Sequence, residues 1–406
     1  MASADEPRRT PLPFPRRRLD RRAVDVVRRL QDAGHETYLV GGCVRDLLVG
    51  MRPKDFDLAT AARPEQVRRL FRRSRIIGRR FRLVHVYVGR NVYEVATFRR
   101  DPPGGRGGEP DEVRMIRRDN VFGTAREDAL RRDFTVNALF LDPIREEILD
   151  WCGGLEDLRR GRLVSIGDPR RRFREDPVRI LRLIKFLRRH GFEPGPAEVA
   201  AARELAPAVA QAAPPRVVEE VFRLMESGDM AGAWEDLEHL GLVPILLPDL
   251  AAWLDRGGDR RRRLLGRLGL LDDWIEEGGR PGYALRLCFL YGCLVEEELD
   301  PAARTLPVRE FAQVPAVLFN RLQERARLPR HELTRAARIL LAQLRLDPPA
   351  WLPRRRRRGT AEHLIEQDWF PDALEYLRCR LEADGRDPAP YDEWHERALS
   401  LEEGER

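Results

Sequence analysis

Apolar residues at Val24, Val27 and Leu30 recur at helical spacing, which predicts a helix over "DRRAVDVVRRLQDAGH" that ends near Gly34. "TYLV" then reads as a buried strand. "CVRDLLVG" reads as one or two helical turns closed by Gly50, and "DFDLAT" as a second strand. "PEQVRRLF" begins a helix at Pro64, a residue suited to a first helical turn. "RLVHVYV" and "NVYEVATF" alternate as strands on either side of "GRN", a hairpin turn. Residues 101–125 hold Gly104, Gly105, Gly107 and Gly108 and read as a mobile loop. "REDALRRDFTVNALF" reads as a helix that leads into a strand at "EEILDW". From "REDPVRILRLIKFLRRHGF" onward the pattern is helical, with no strand runs. The fold class expected is α+β: a mixed α/β head followed by an all-α remainder.

The chain has 406 residues, 42% hydrophobic and 35% charged, which suits a globular protein of two or three domains. No run of about 18 apolar residues occurs, so no transmembrane helix is expected. The start, "MASADEPRRTPLPFPRRRLDRR", is rich in Arg and Pro. It reads as a disordered basic arm over 1–22 and not as a signal peptide. The five cysteines (Cys43, Cys152, Cys288, Cys293, Cys379) have no CxxC spacing, which fits a reducing cytoplasm and argues against a structural zinc site. The net charge of +7 is compatible with a polyanionic partner. Only Lys54 and Lys185 of the 74 cationic side chains are lysines, a skew that also follows from a GC-rich genome. The densest cluster is the run Arg354, Arg355, Arg356, Arg357 and Arg358, which is either a solvated loop or an RNA-binding segment.

The chemistry concentrates in "YLVGGCVRDLLVGMRPKDFDLAT". Asp55 and Asp57 are two apart, so on a strand both leave the same face. They are either two solvated acids on an edge strand or a pair that holds Mg²⁺, since adjacent carboxylates repel without a cation between them. Gly41 and Gly42 stand between a strand and a helix, where backbone N–H groups can approach phosphate oxygens closely. Arg45, followed by Asp46, can neutralise a triphosphate. Further on, Arg132, Asp133 and Asn137 fall within about one helical turn, and Asp176, Arg179 and Arg182 follow helical spacing. Each set reads as surface ion pairs if taken alone.

Together these motifs resemble the class II nucleotidyltransferases of the polymerase-β superfamily, the family of CCA-adding tRNA enzymes and bacterial poly(A) polymerases. "LRRDFTVNAL" resembles the family's second motif and "REDPVRILRLIKF" its base-reading helix, while "PPRVVEEVFRLMESG" with "LEHLGLVPILLPDL" resembles its neck helices. The resemblance covers roughly residues 35–250. It implies a polymerase-β-like catalytic head over 23–160, a helical neck over 161–250, and a helical body and tail over 251–406. It implies catalysis by Asp55, Asp57 and Asp133, with two Mg²⁺ (or Mn²⁺) ions on Asp55 and Asp57 and Glu94 as a possible further carboxylate. Nucleotide contacts would come from Gly41, Gly42, Arg45, Asp46, Arg132, Asn137, Asp176, Arg179 and Arg182. In an enzyme of this kind the run Arg354, Arg355, Arg356, Arg357 and Arg358 would hold the RNA backbone. "IIGRRFRLVHV" (Ile76–Val86), with Gly78, Arg79, Arg80, Phe81 and His85, resembles the stretch that sets poly(A) polymerases apart, and "RDNVFGT" agrees with it. The expected activity is therefore addition of AMP from ATP to RNA 3′ ends by a cytoplasmic monomer. CCA addition to tRNA is the alternative. A catalytically dead RNA-binding protein is a third reading, against which the intact Asp55 and Asp57 argue.

Overall fold

A computed structural model describes residues 6–78, 82–100, 121–299, 313–350 and 361–404. The chain divides into two compact units, Met1–Arg179 with Gly191–Leu205, and Ile180–His190 with Ala206–Arg406.

The first unit is built on β1 (Arg8–Pro11), α1 (Arg21–Asp32), β2 (Thr37–Val40), α2 (Gly42–Leu48), β3 (Leu58–Thr60), α3 (Pro64–Leu70), β4 (Ser74–Ile77), β5 (Leu83–Val88), β6 (Asn91–Thr97), α4 (Ala125–Leu130), β7 (Phe140–Asp142) and β8 (Glu147–Asp150). The strands form one sheet in the order β1-β8-β7-β2-β3-β6-β5-β4. Every neighbouring pair is antiparallel except β3–β6. The side-chain period of two divides this sheet cleanly. Tyr38, Val40, Ala59, Phe98, Phe140 and Leu149 share one face and pack with Ala125 and Ala129 of α4. The Tyr38, Phe98 and Phe140 rings lie 5.9–6.3 Å apart between centroids. On α1 the apolar stripe Val24, Val27 and Leu30 is buried, and Asp20 caps the helix by accepting from the N–H groups of Arg22 and Ala23.

The chain continues through α5 (Gly154–Arg159), β9 (Arg162–Leu163), α6 (Pro169–Glu175), α7 (Val178–His190), β10 (Glu193–Pro194) and α8 (Pro196–Leu205). The second unit is helical: α9 (Pro214–Leu224), α10 (Met230–His239), α11 (Val243–Leu246), α12 (Pro248–Leu254), α13 (Arg260–Glu276), α14 (Tyr283–Leu299), α15 (Val314–Ala326), α16 (Arg330–Leu346), α17 (Ala361–Ile365), α18 (Phe370–Ala383) and α19 (Ala389–Gly404). Helix α14 is buried nearly all round, as its continuous apolar run requires. Arg267 is fully buried there, offset by Glu296 at 2.6 Å and by the Tyr376 hydroxyl at 2.6 Å.

Several expectations need correction. Residues 8–11 are not part of a disordered arm. They are the edge strand β1, hydrogen-bonded to β8 and held by an Arg9–Glu147 ion pair. "DFDLAT" is a strand only from Leu58, so Asp55 and Asp57 lie in the loop before it. The helix expected through Phe140 stops at Leu130, and Thr135–Asn137 is a separate 3₁₀ turn. The Asp133 carboxylate accepts from the N–H of Phe134 at 2.9 Å, which turns the chain locally. Strands β4 and β7 were not expected, and neither was the two-residue pair β9–β10 within the helical region. The loop expected over 101–125 lies outside the described residues, apart from 121–125. So does the whole arginine run, Arg354, Arg355, Arg356, Arg357 and Arg358, and so do Arg79, Arg80 and Phe81 of the "IIGRRFRLVHV" stretch. Among the described residues, no helix is long and apolar enough to cross a membrane.

Candidate active site

Strand β2 ends at Val40 and the backbone reverses at Gly41, where φ is +73° and ψ is −130°. A side chain at this position would be strained. It would also collide, because a Cβ built on Gly41 falls 2.8 Å from Nη1 of Arg132. Gly42 opens α2, and a Cβ there meets only Nη2 of Arg45, at 3.6 Å.

Register places Asp57 beside this turn. Leu39 pairs with Leu58, and the ladder extends by one residue, since the Val40 N–H donates to the Asp57 carbonyl at 3.0 Å. On its other side β3 runs parallel to β6, with Leu58 opposite Val95. One residue back along the two segments come Asp57 and Glu94. His85 pairs with Glu94 across β5–β6, and its Nε2 is 3.2 Å from the Glu94 carboxylate. Asp55, Asp57 and Glu94 are all exposed. Beneath them, Cys43 is buried and donates to the Val40 carbonyl at 3.3 Å. Burial first, and then Asp57, push its thiol up to about 12, so it stays protonated and inert.

A polar chain fixes the turn from the other direction. Nη2 of Arg45 lies 2.6 Å from Asp46, and Nη1 donates to Oδ1 of Asn137 at 2.6 Å. Nδ2 of Asn137 in turn donates to Asp133 at 3.0 Å. All four residues are buried. Asp133 and Asn137 thus meet as the sequence suggested, across a turn and not along one helix. Arg45, expected to face a triphosphate, is engaged with Asp46 and Asn137. Asp133 is held by Asn137 and the Phe134 N–H and is not exposed beside Asp55 and Asp57. Among the described residues, no group of three or more His, Cys, Asp or Glu is arranged to hold a metal ion.

Arg132 lies against Gly41, over the Phe140 ring at 5.1 Å, and donates to the Asn137 carbonyl at 3.3 Å and to Asp128 at 3.0 Å. Asp128 was missed in the sequence. It also accepts from Nε of Arg131 and from the Arg99 N–H, each at 3.0–3.1 Å. Burial opposes its charge, but Arg132 and Arg131 outweigh burial and hold the carboxyl below its usual range. Its spacing of three and four from Arg131 and Arg132 was the available signal.

Asp176 is not on a helix with Arg179. It ends α6, in an extended conformation, and Pro177 precedes α7. Arg179 is buried, donates to the Arg172 carbonyl at 2.9 Å and lies 3.6 Å from Glu175. Burial, then Arg172, lower its pKa. Arg182 belongs to the second unit, where its guanidinium lies 5.7 Å from the Phe186 ring centre.

Oxygen donors on Asp55 and Asp57 suit a hard divalent cation such as Mg²⁺, which accepts one or two carboxylates and keeps its waters.

Residues 37–164 match the family described as "Poly A polymerase head domain", and residues 191–254 match "Probable RNA and SrmB- binding site of polymerase A". The chain is 44% identical to poly(A) polymerase I of Haemophilus influenzae over 68% of this chain and 63% of that one, so it spans under two thirds of that relative. It is 34% identical to poly(A) polymerase I of Salmonella typhi over 91% of this chain and 80% of that one. Among solved structures it resembles the Bacillus stearothermophilus CCA-adding enzyme in complex with CTP, with a TM-score of 0.63, 28% identity, and coverage of 93% of this chain and 82% of that one. The turn at Gly41, the Asp55–Asp57 loop and these likenesses agree: the chain belongs to the nucleotidyltransferase family that comprises poly(A) polymerase I and the CCA-adding enzymes.

Proposed function

We propose that the protein adds adenylate from ATP to the 3′ ends of RNA without a template. The observation that carries this reading is the extent of the likeness to a poly(A) polymerase I, 34% identical over 91% of the chain, against 36% over 57% for a CCA-adding enzyme of Geobacillus kaustophilus. In the reaction the RNA 3′-hydroxyl oxygen bonds to the α-phosphorus of ATP. The bond from that phosphorus to the α–β bridging oxygen breaks, pyrophosphate leaves, and the hydroxyl proton passes to solvent. Asp55 and Asp57 would hold Mg²⁺, which supplies charge stabilisation for such an in-line displacement. Gly41 has no side chain, which leaves room against the turn for the Arg132 guanidinium. Arg132, anchored by Asp128, presents a guanidinium beside that turn. Arg45, Asn137 and Asp133 hold the turn rigid from behind. Asp176 and Arg179 would select the base, which requires Arg179 to exchange its contact with the Arg172 carbonyl for one to the nucleotide.

CCA addition is the second reading, favoured by the near-complete overlap with the Bacillus stearothermophilus enzyme. The test uses Mg²⁺, an unstructured RNA and a tRNA lacking its CCA end, with ATP alone, CTP alone or both. Long adenosine tails on both RNAs with ATP alone are expected. Extension confined to tRNA, dependent on CTP and ending after three residues, would assign CCA addition instead.

A further inference from the structure

The segment before α1 is folded onto the head and ends beside the loop that carries Asp55 and Asp57. Strand β1 pairs with β8, and Leu19 is buried. Asp20 accepts from the Tyr93 hydroxyl at 2.9 Å, and Arg18 donates through Nη2 to the Met51 carbonyl at 3.3 Å. The last contact ties the residue after Arg17 to the residue before Arg52. Arg21 opens α1 three residues after Arg18. Arg17, Arg21 and Arg52 are exposed, and none forms an ion pair among the described residues. Two other cations of this segment are offset, Arg9 by Glu147 and Arg16 by Glu146 at 3.4 Å. With Arg18 at the tie itself, guanidiniums without a carboxylate partner on two joined segments raise the positive potential along the loop that leads to Asp55.

We propose that Arg17, Arg21 and Arg52 form a surface that grips the phosphate backbone of the RNA just upstream of its reacting 3′ end. The position favours RNA over other polyanions, because Arg52 lies on the loop that carries Asp55 and Asp57, three residues before Asp55. Guanidinium forks suit phosphate oxygens and read no sequence, as an enzyme acting on varied RNA ends requires. The proposal rests on the reading that the substrate is an RNA 3′ end.

The test measures binding of a labelled unstructured RNA by anisotropy, without nucleotide, across a salt series. Each lost phosphate contact lowers the log–log salt slope by about 0.7, so the R17Q/R21Q/R52Q variant is expected to lose about 2 from the slope. The charge-conserving R17K/R21K/R52K variant should keep most of it, and Arg203→Gln on α8 should change nothing. An unchanged slope in the glutamine variant, or an equal fall per charge for Arg203→Gln, overturns the proposal. So does loss of binding to phosphatidylglycerol vesicles with the RNA slope intact, which would assign the surface to lipid. Should the glutamine variant fail to fold, a lysine variant with a wild-type melting curve and a collapsed slope would likewise overturn it. A wild type that neither binds nor extends RNA would remove the functional reading itself, whereas salt-dependent wild-type binding with an unaltered variant removes only this surface.

Discussion

Replacing Gly41 by alanine separates two costs that the structure makes distinct. The first is conformational: φ of +73° with ψ of −130° is a backbone state that costs a non-glycine residue about 1–3 kcal/mol. The second is steric, since the new Cβ would sit 2.8 Å from Nη1 of Arg132. Arg132 can retreat, but only by weakening its bonds to Asp128 and the Asn137 carbonyl, which are charge-assisted and worth about 1.5–3 kcal/mol each at most. Partial retreat puts the total near 2–4 kcal/mol. Urea unfolding of Gly41→Ala in wild-type and Arg132→Ala backgrounds measures both. In the second background the steric part vanishes, and about 1–3 kcal/mol of backbone strain should remain. Gly42→Ala is the control, because its Cβ makes ordinary contact at 3.6 Å and should be neutral or slightly stabilising. A Gly41→Ala penalty under about 0.5 kcal/mol, or one identical in both backgrounds, would refute the steric argument.

Asp57→Asn should fold normally and lose nucleotide addition by several orders of magnitude, and Asp55→Asn likewise. Retention of more than a few per cent of activity at saturating Mg²⁺ would remove either residue from the chemistry. Arg179→Ala should blunt the preference for ATP over the other nucleotides more than it weakens triphosphate binding. An equal loss for all four would leave it the packing role it has against Arg172 and Glu175. Asp272 on α13 accepts from the N–H groups of Met230 and Ala231, yet burial pushes its carboxyl up to about 6. A raised carboxyl stabilises most when protonated. Its contribution should be fully present below about pH 3.8 and lost as pH rises through about 6, relative to Asp272→Asn. A stability difference between the two proteins that stays flat from pH 4 to 7 would rule this out.

The head was legible wherever alternation or helical spacing was long enough to count. Val24, Val27 and Leu30 marked α1, and "NVYEVATF" marked β6. Asp55 and Asp57 were read as strand residues. The regular ladder starts only at Leu58, and Asp57 keeps one backbone bond to Val40. The break after Leu130 had no glycine or proline to announce it. It arises because Asp133 binds the Phe134 N–H, a local competition that spacing does not report. Strand β4 is four residues, "SRII", too short and too polar to show a period. Strand β1 reads as disorder by composition because the strand that orders it lies far along the chain. The buried roles of Arg45 and Arg179 were illegible for a similar reason, since their acceptors are Asn137 and the Arg172 carbonyl, in other elements.

The pairing of β1 with β8 also bears on how the molecule comes into being. Arg9 and Glu147 are 138 residues apart in sequence, so this contact closes a very long loop. At synthesis rates of about 5–20 residues per second, β1 leaves the ribosome roughly 7–28 s before its partner has been made. Throughout that interval an Arg- and Pro-bearing segment waits unpaired, and those residues are poor templates for association with other chains. The composition that hides the strand from a reader of the sequence thus also protects it while it is alone. In refolding, the amides of Arg8, Arg9 and Thr10 should be among the last in the sheet to resist pulse-labelling hydrogen exchange, after the β5–β6 hairpin with its two-residue turn. Early protection of β1 would mean that the edge strand finds its place by a more local route.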